Sequence, residues 1–187
     1  MILPLFRRNQ RATSIAALYG AIVAQARLPA FYRDYGVPDT VEGRLDLIIL
    51  HVVLLLHRFA DEPADLKALG QAVFDRFCLD MDDNLREMGI GDLAVPRQMG
   101  RIAEAFYGRA KAYEAALAAS GNEGLAAALR RNIFGDDAAS SEPAAHLAVY
   151  VRAVVSDLHG QGGAAFAAGR LSFPAPLAEA EMVARGA

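Results

Sequence analysis

The chain has 187 residues, about one domain's worth, and 54 % apolar against 22 % charged residues let it bury a core, which excludes wholesale disorder. One Cys and no Trp exclude a disulfide scaffold and a zinc ribbon. With 19 basic and 22 acidic residues the net charge is −3, so the global basic field of a nucleic-acid binder is absent.

In chain order the pattern reads as helices throughout. Thr13 or Ser14 caps a first helix to about Arg27, with Ile15, Leu18, Ile22 and Val23 on one stripe. Pro29 and the stretch from Phe31 to Gly36 break it. Asp39 with Glu42 three residues on forms a capping box for a second helix to about Phe59. That helix is apolar nearly all round, which predicts a central buried position. Asp61-Glu62-Pro63 opens a third helix to Met88, with Leu66, Leu69, Val73, Phe74, Phe77, Met81, Leu85 and Met88 at intervals of three and four. Gly89 stops it, as a left-handed residue at a helix end does. Pro96 starts a fourth helix to about Ser120, and a shorter one runs from Glu123 to Phe134. A polar loop follows from Gly135 to Glu142. Pro143 opens the last helix, to about His159. The expected class is all-α: one bundle of about six helices over 13–159, after a basic segment 1–12 and before a poorly ordered Gly/Ala/Pro-rich tail over 160–187.

Charge falls in blocks. Residues 1–60 carry seven Arg and four acids, and residues 61–95 carry three basic and nine acidic residues. The first apolar stretch precedes its arginines, the reverse of a secretory signal. The longest apolar run, Leu45 to Leu56, is interrupted by Asp46 and His51 and is short of a bilayer span. The expectation is a soluble cytoplasmic protein, with a peripheral contact at the inner membrane left open through the N-terminal Leu/Phe/Arg cluster.

Catalytic and metal motifs find little support. Asp80-Met81-Asp82-Asp83-Asn84 starts like a calcium loop but has Leu85 where Gly is needed and Gly91 where Glu is needed. No Glu-x-x-His pair of a di-metal bundle occurs. His51 and His57, six apart on one helix, cannot face one metal. No nucleophile elbow, phosphate loop or dinucleotide fingerprint is present. Cys78, between Phe77 and Leu79, reads as a packing residue. His51 reads as a structural core histidine. Asp46, in the apolar helix, reads as a buried carboxylate paired with an Arg from another helix, Arg27 being the first choice. No cofactor is implied.

What remains is surface. Asp80, Asp83 and Glu87 share one helical face, with Arg76 and Arg86 in reach. Phe106, Tyr107, Arg109 and Tyr113 follow in close order on the next helix, the residue types that anchor interfaces.

Two stretches carry a resemblance: Leu18 to Arg58 and Phe74 to Leu117. Within them Gln25-Ala26-Arg27, Phe31-Tyr32 through Pro38-Asp39, Asp80-Met81-Asp82 through Arg86-Glu87-Met88-Gly89, and Phe106-Tyr107-Gly108-Arg109 are ordered blocks. Both stretches resemble the ubiquinol–cytochrome c chaperone family, which includes the mitochondrial assembly factor for cytochrome b and its bacterial relatives. The match covers a little over half the chain and fades after the fourth helix. At Pro96-Arg97 it departs from the Gly-Lys type pair expected there. The resemblance implies a helical, non-catalytic chaperone of bacterial size that binds newly made cytochrome b and assists assembly of ubiquinol–cytochrome c reductase. It implies as further partners a second assembly factor or the ribosome near its tunnel exit. The candidate client-binding residues are Arg27, Phe31, Tyr32, Asp80, Asp83, Arg86, Glu87, Tyr107, Arg109 and Tyr113. The alternative reading is a helical metal- or cofactor-binding enzyme using Asp46, His51 and the Asp80–Glu87 face.

Overall fold

The computed structural model describes residues 3–177, with side chains from Gln10 onward. Helix α1 spans Leu3–Ala26, α2 Pro29–Arg33, α3 Val41–Phe59, α4 Ala64–Glu87, α5 Val95–Ala118, α6 Glu123–Ile133, α7 Ser141–Gly160 and α8 Gly163–Ala167. A short 3₁₀ turn, Ala138–Ser140, precedes α7. No strand occurs among the described residues, so the class is all-α, as the sequence predicts.

Helix α3 is the axis. Twelve of its 19 residues are buried, and α1, α4, α5, α6 and α7 all pack on it. From Leu47 to Leu55 its all-round apolarity leaves no solvent face, so the other helices wrap it there. α4 shows the predicted stripe: Leu66, Leu69, Val73, Phe77, Met81 and Leu85 are buried. Met88 departs from it and is 57 % exposed, because it lies past the last helical turn. There Gly89 adopts φ +80°, its N–H bonds Arg86 O, and Ile90 N–H bonds Leu85 O, which closes the helix with a left-handed C-terminal motif. Helices α3 and α4 cross tightly at Gly70, where a Cβ would sit 2.9 Å from the Phe59 ring.

Several boundaries differ from expectation. Thr13 and Ser14 lie inside α1, which starts ten residues earlier; Ser14 Oγ instead donates to Ala167 O at 2.8 Å. The cap of α3 is Thr40, whose Oγ1 accepts from Gly43 N–H at 3.1 Å, while Asp39 pairs with Arg44 at 2.7 Å. α2 fills the stretch expected only to break the chain. Among the described residues, Gln10–Arg33 is long and apolar enough by length and composition to cross a bilayer. Its Leu18, Ile22 and Ala26 pack into the core. The side chains of the N-terminal Leu/Phe/Arg cluster lie outside the described residues.

The tail packs in part. Phe166 of α8 is fully buried, edge-on to Phe59 at 5.1 Å. Beyond it the chain is extended to Leu177. The Gln161 amide clamps this segment by bonding both Ser172 N–H and Ser172 O, and Gln25 Nε2 donates to Pro174 O at 3.0 Å. Residues 178–187 of the expected tail lie outside the described residues. Phe166→Ala should lower stability by about 3–5 kcal/mol, the range for removing a buried aromatic. Tyr107→Ala, at an exposed position, should stay within about 0.5 kcal/mol. Chemical denaturation of the two variants checks both.

Candidate client-binding surface

The structure sorts the candidate residues into core, ion-pair and surface groups. Phe31 and Tyr113 are fully buried and belong to the core. Phe31 packs edge-on against Tyr150 at 5.0 Å. Tyr32 is half-buried and its hydroxyl donates to Ala26 O at 2.8 Å. Tyr107 is 62 % exposed, so of the aromatic and Arg cluster on α5 it alone presents a large open surface.

Arg109, half-buried, is the partner of buried Asp46, at 2.6 Å, and also donates to Asn132 O at 3.3 Å. The expected partner, Arg27, lies elsewhere, at the exposed end of α1. Pairing across 63 residues is set by how α5 crosses α3, which no local pattern encodes. The Tyr113 hydroxyl lies beside Asn132 and faces the same Asp46–Arg109 pair. Burial pushes the Asp46 carboxyl up to about 6, against the opposing pull of Arg109.

His51 is fully buried with both ring nitrogens engaged. Nδ1 lies 2.7 Å from Leu47 O, which can only accept, so Nδ1 carries the proton. The Tyr150 hydroxyl then donates to Nε2 at 2.8 Å and accepts from Gln25 Nε2 at 2.9 Å. Burial holds the imidazole neutral, with its pKa lowered to about 4. Neither nitrogen is free for a metal. Among the described residues no three His, Cys, Asp or Glu side chains come together as a metal site. The geometry therefore gives the alternative enzyme reading no site built on Asp46 and His51.

The acidic face divides. Asp80 is half-buried and accepts from the Tyr19 hydroxyl at 2.7 Å, which ties α4 to α1. Arg86 is engaged by Asp82 at 2.7 Å and by Asp92, so it does not neutralise its other neighbours. Asp83 and Glu87 are exposed and make no ion pair among the described residues. Beside them lies a groove that the sequence reading did not single out. It measures about 240 Å³ and is bedded by Leu45 and Ile48 of α3, Met81 and Leu85 of α4 and Ile102 of α5. Exposed Val41 and Met88 form its lip, and Arg27 and Arg44 stand on the α1 and α3 side. The same two arginines line an adjoining cleft of about 380 Å³ with Pro29, Tyr32, Arg33 and Asp39. No signal in the sequence marks the groove, because Met88 reads there as the last residue of the buried stripe of its helix.

These features describe an all-α protein with a buried polar core and, between α3 and α4, an apolar groove that Arg27, Arg44 and Asp80 line with charge. A family model described as ubiquinol-cytochrome C chaperone matches residues 33–173, and the chain belongs to that family. The match reaches well past the fourth helix, where the resemblance read from the sequence fades. The chain is 26 % identical over 151 residues to the mouse protein ubiquinol-cytochrome c reductase complex assembly factor 1. That alignment covers 80 % of this chain and 51 % of the mouse protein, so the chain spans about half the length of this relative. The crystal structure of the Cbp3 homolog from Brucella abortus superposes with a TM-score of 0.83 and 43 % identity, covering 94 % of this chain and 97 % of that one.

Two outcomes follow for the buried polar groups. Asp46→Ala strands the Arg109 guanidinium. It should cost a few kcal/mol, toward the lower end of about 3–5 kcal/mol for broken buried pairs, because the Arg109 side chain keeps 19 % of its surface in water. Urea unfolding at pH 7 measures it. The pH dependence has opposing parts: His51, with half-buried His57 and the ion-paired Asp34 and Asp39, on one side and Asp46 on the other. The His51 pKa is lowered in the fold, so its contribution is present above about 6.5 and is lost as pH falls toward 4. The Asp46 pKa is raised, so its contribution is present at about pH 4 and is lost as pH rises through about 6. His51→Gln removes the His51 share and should make the variant lose less stability than the parent as pH falls from 6 to 4. A steeper acid loss in that variant than in the parent would contradict the assignment.

Proposed function

We propose that this protein is a non-catalytic assembly chaperone of ubiquinol–cytochrome c reductase that holds newly made cytochrome b. The observation that carries the reading is the family match over residues 33–173, joined by the close structural likeness to the Cbp3 homolog. The mouse relative, a reductase complex assembly factor by name, supports the same role. The physical features fit it. A client with apolar membrane segments needs an apolar contact before it is inserted, and the groove between α3 and α4 offers one. In this reading the protein works on the cytoplasmic side, at the surface of the inner membrane. It transfers no group and needs no cofactor, and a second assembly factor would engage the same complex.

Loss of the protein should lower cytochrome b and assembled reductase while leaving the transcripts of the reductase subunits intact. Quantifying the b-type haem spectrum, the assembled complex and those transcripts in a deletion strain tests it. Normal reductase in a strain without a second copy of the gene would remove the functional reading and leave the fold untouched.

A further inference from the structure

The groove exists because of where α1 stops. Ser14 lines a cleft with Leu66 and Leu69, Tyr19 bonds Asp80, and Arg27 lines the groove with Asp80 and Asn84. Helix α1 therefore runs in the same direction as α4 and covers the seam between α3 and α4. It ends at Ala26, and Pro29 turns the chain aside into α2. The seam continues without it, from Ile48 and Met81 out to Val41 and Met88. Asp80 to Met88 is eight residues, about 12 Å or two helical turns. The uncovered length fits a further piece of helix lying where α1 would have continued.

The rims of this seam carry unlike charge. On the α1 and α3 side stand Arg27 and Arg44. Arg44 is paired with Asp39, and Arg27 makes no ion pair among the described residues. On the α4 side, at about 100° per residue, Glu87 lies about 20° and Asp83 about 60° from Asp80, both on the side away from Met81 and Leu85, so they flank the groove and do not line it. Among the described residues neither Asp83 nor Glu87 has an ion-pair partner, since Arg86 is held by Asp82 and Asp92. Two unpaired carboxylates one turn apart repel each other, and they stand beside the negative end of the α4 dipole. The volume, about 240 Å³, falls below the roughly 300–1,000 Å³ of small-molecule pockets and suits a few side-chain anchors.

We infer that the open end of the α3–α4 seam is the docking site for a short amphipathic helical segment of the client. Its apolar stripe sits on Leu45, Ile48, Met81 and Leu85, and its Lys or Arg residues lie along the flank facing Asp83 and Glu87. Arg27 and Arg44 keep the other rim positive, so the basic flank has one place to lie and the segment has one orientation. This rests on the chaperone reading and names the chemistry of the segment: the junction between an apolar stretch and a basic one. Such junctions mark the cytoplasmic ends of membrane helices.

The test uses the full chain and two synthetic helices of about 16 residues, long enough to be helical in part on their own. Both carry the same Leu stripe; one has Lys along a single flank, the other Glu. Fluorescence anisotropy should give at least about tenfold tighter binding of the Lys peptide, the scale expected from opposed against like charges across an interface. Asp83→Lys with Glu87→Lys, both on the surface, should reverse that preference with an unchanged melting temperature. Val41→Ser with Met88→Ser should weaken both peptides. Equal binding of the two peptides, a preference that survives the charge reversal, or no binding by the wild type would overturn the proposal. Reduced reductase in the deletion strain with no peptide preference would remove this site and leave the chaperone reading standing. Peptide preference in vitro with normal reductase in that strain would leave the site and remove the client.

Discussion

A helix that is apolar on all sides cannot meet water, and α3 imposes that constraint on everything around it. Its buried Leu, Ile and Val residues need partners in every direction, which five other helices supply. The two polar residues that it buries then need partners in the same tight space. Asp46 reaches Arg109 on α5, and His51 reaches Tyr150 on α7. Both links cross from the central helix to its wrapping, so they fix rotation about the helix axes in a way that aliphatic packing alone does not.

The His51 link reaches further. Gln25 of α1 joins Tyr150 and also bonds the extended tail at Pro174, while Phe173 packs edge-on to the His51 ring at 5.2 Å. The Tyr35 hydroxyl accepts from Leu177 N–H at 3.0 Å. One buried imidazole thus connects α1, α3, α7 and the C-terminal segment. Arginines do similar work at helix ends. Arg152 of α7 donates to four carbonyls at the end of α5, Ala116, Leu117, Ala119 and Gly121. Arg58 reaches Leu158 O and Gln161 O past the end of α7. Carbonyls that the last turn leaves without partners accept strong charged donors, which is why these arginines serve the fold and not a partner.

The features legible in the sequence are those set by neighbours along the chain. The period of α4, the apolar girth of α3 and the Gly89 stop are of this kind, and all three stand in the structure. Local signals that compete were harder. Asp39 and Thr40 are both good caps; Thr40 takes the position and Asp39 pairs with Arg44. Aromatic and Arg residues anchor cores and interfaces alike, so nothing in the sequence separated buried Tyr113 and Arg109 from exposed Tyr107. The segment after α8 has no period to read, because it is an extended chain held by side-chain amides and a few apolar contacts. The groove was illegible for a different reason: it is made by the absence of a helix over a seam, and absence leaves no pattern.

The proposed role asks for apolar surface without enough exposure to aggregate, and the groove would meet both demands at one place. The bed of the groove is already closed by core residues: Leu85 is 8 % exposed and Ile48 6 %. Only Val41 and Met88 stand open at the lip, and a single pair of exposed apolar residues is ordinary on a soluble protein. Met is suited to the lip, since its unbranched thioether adapts to different partners. In the proposed role a client would supply the helix that fills the groove, and once it is withdrawn the groove returns to a surface that water tolerates. Helices α4 and α5, which line the groove with α3, are packed on α3 in the absence of any occupant, so the site would be ready before a client arrives.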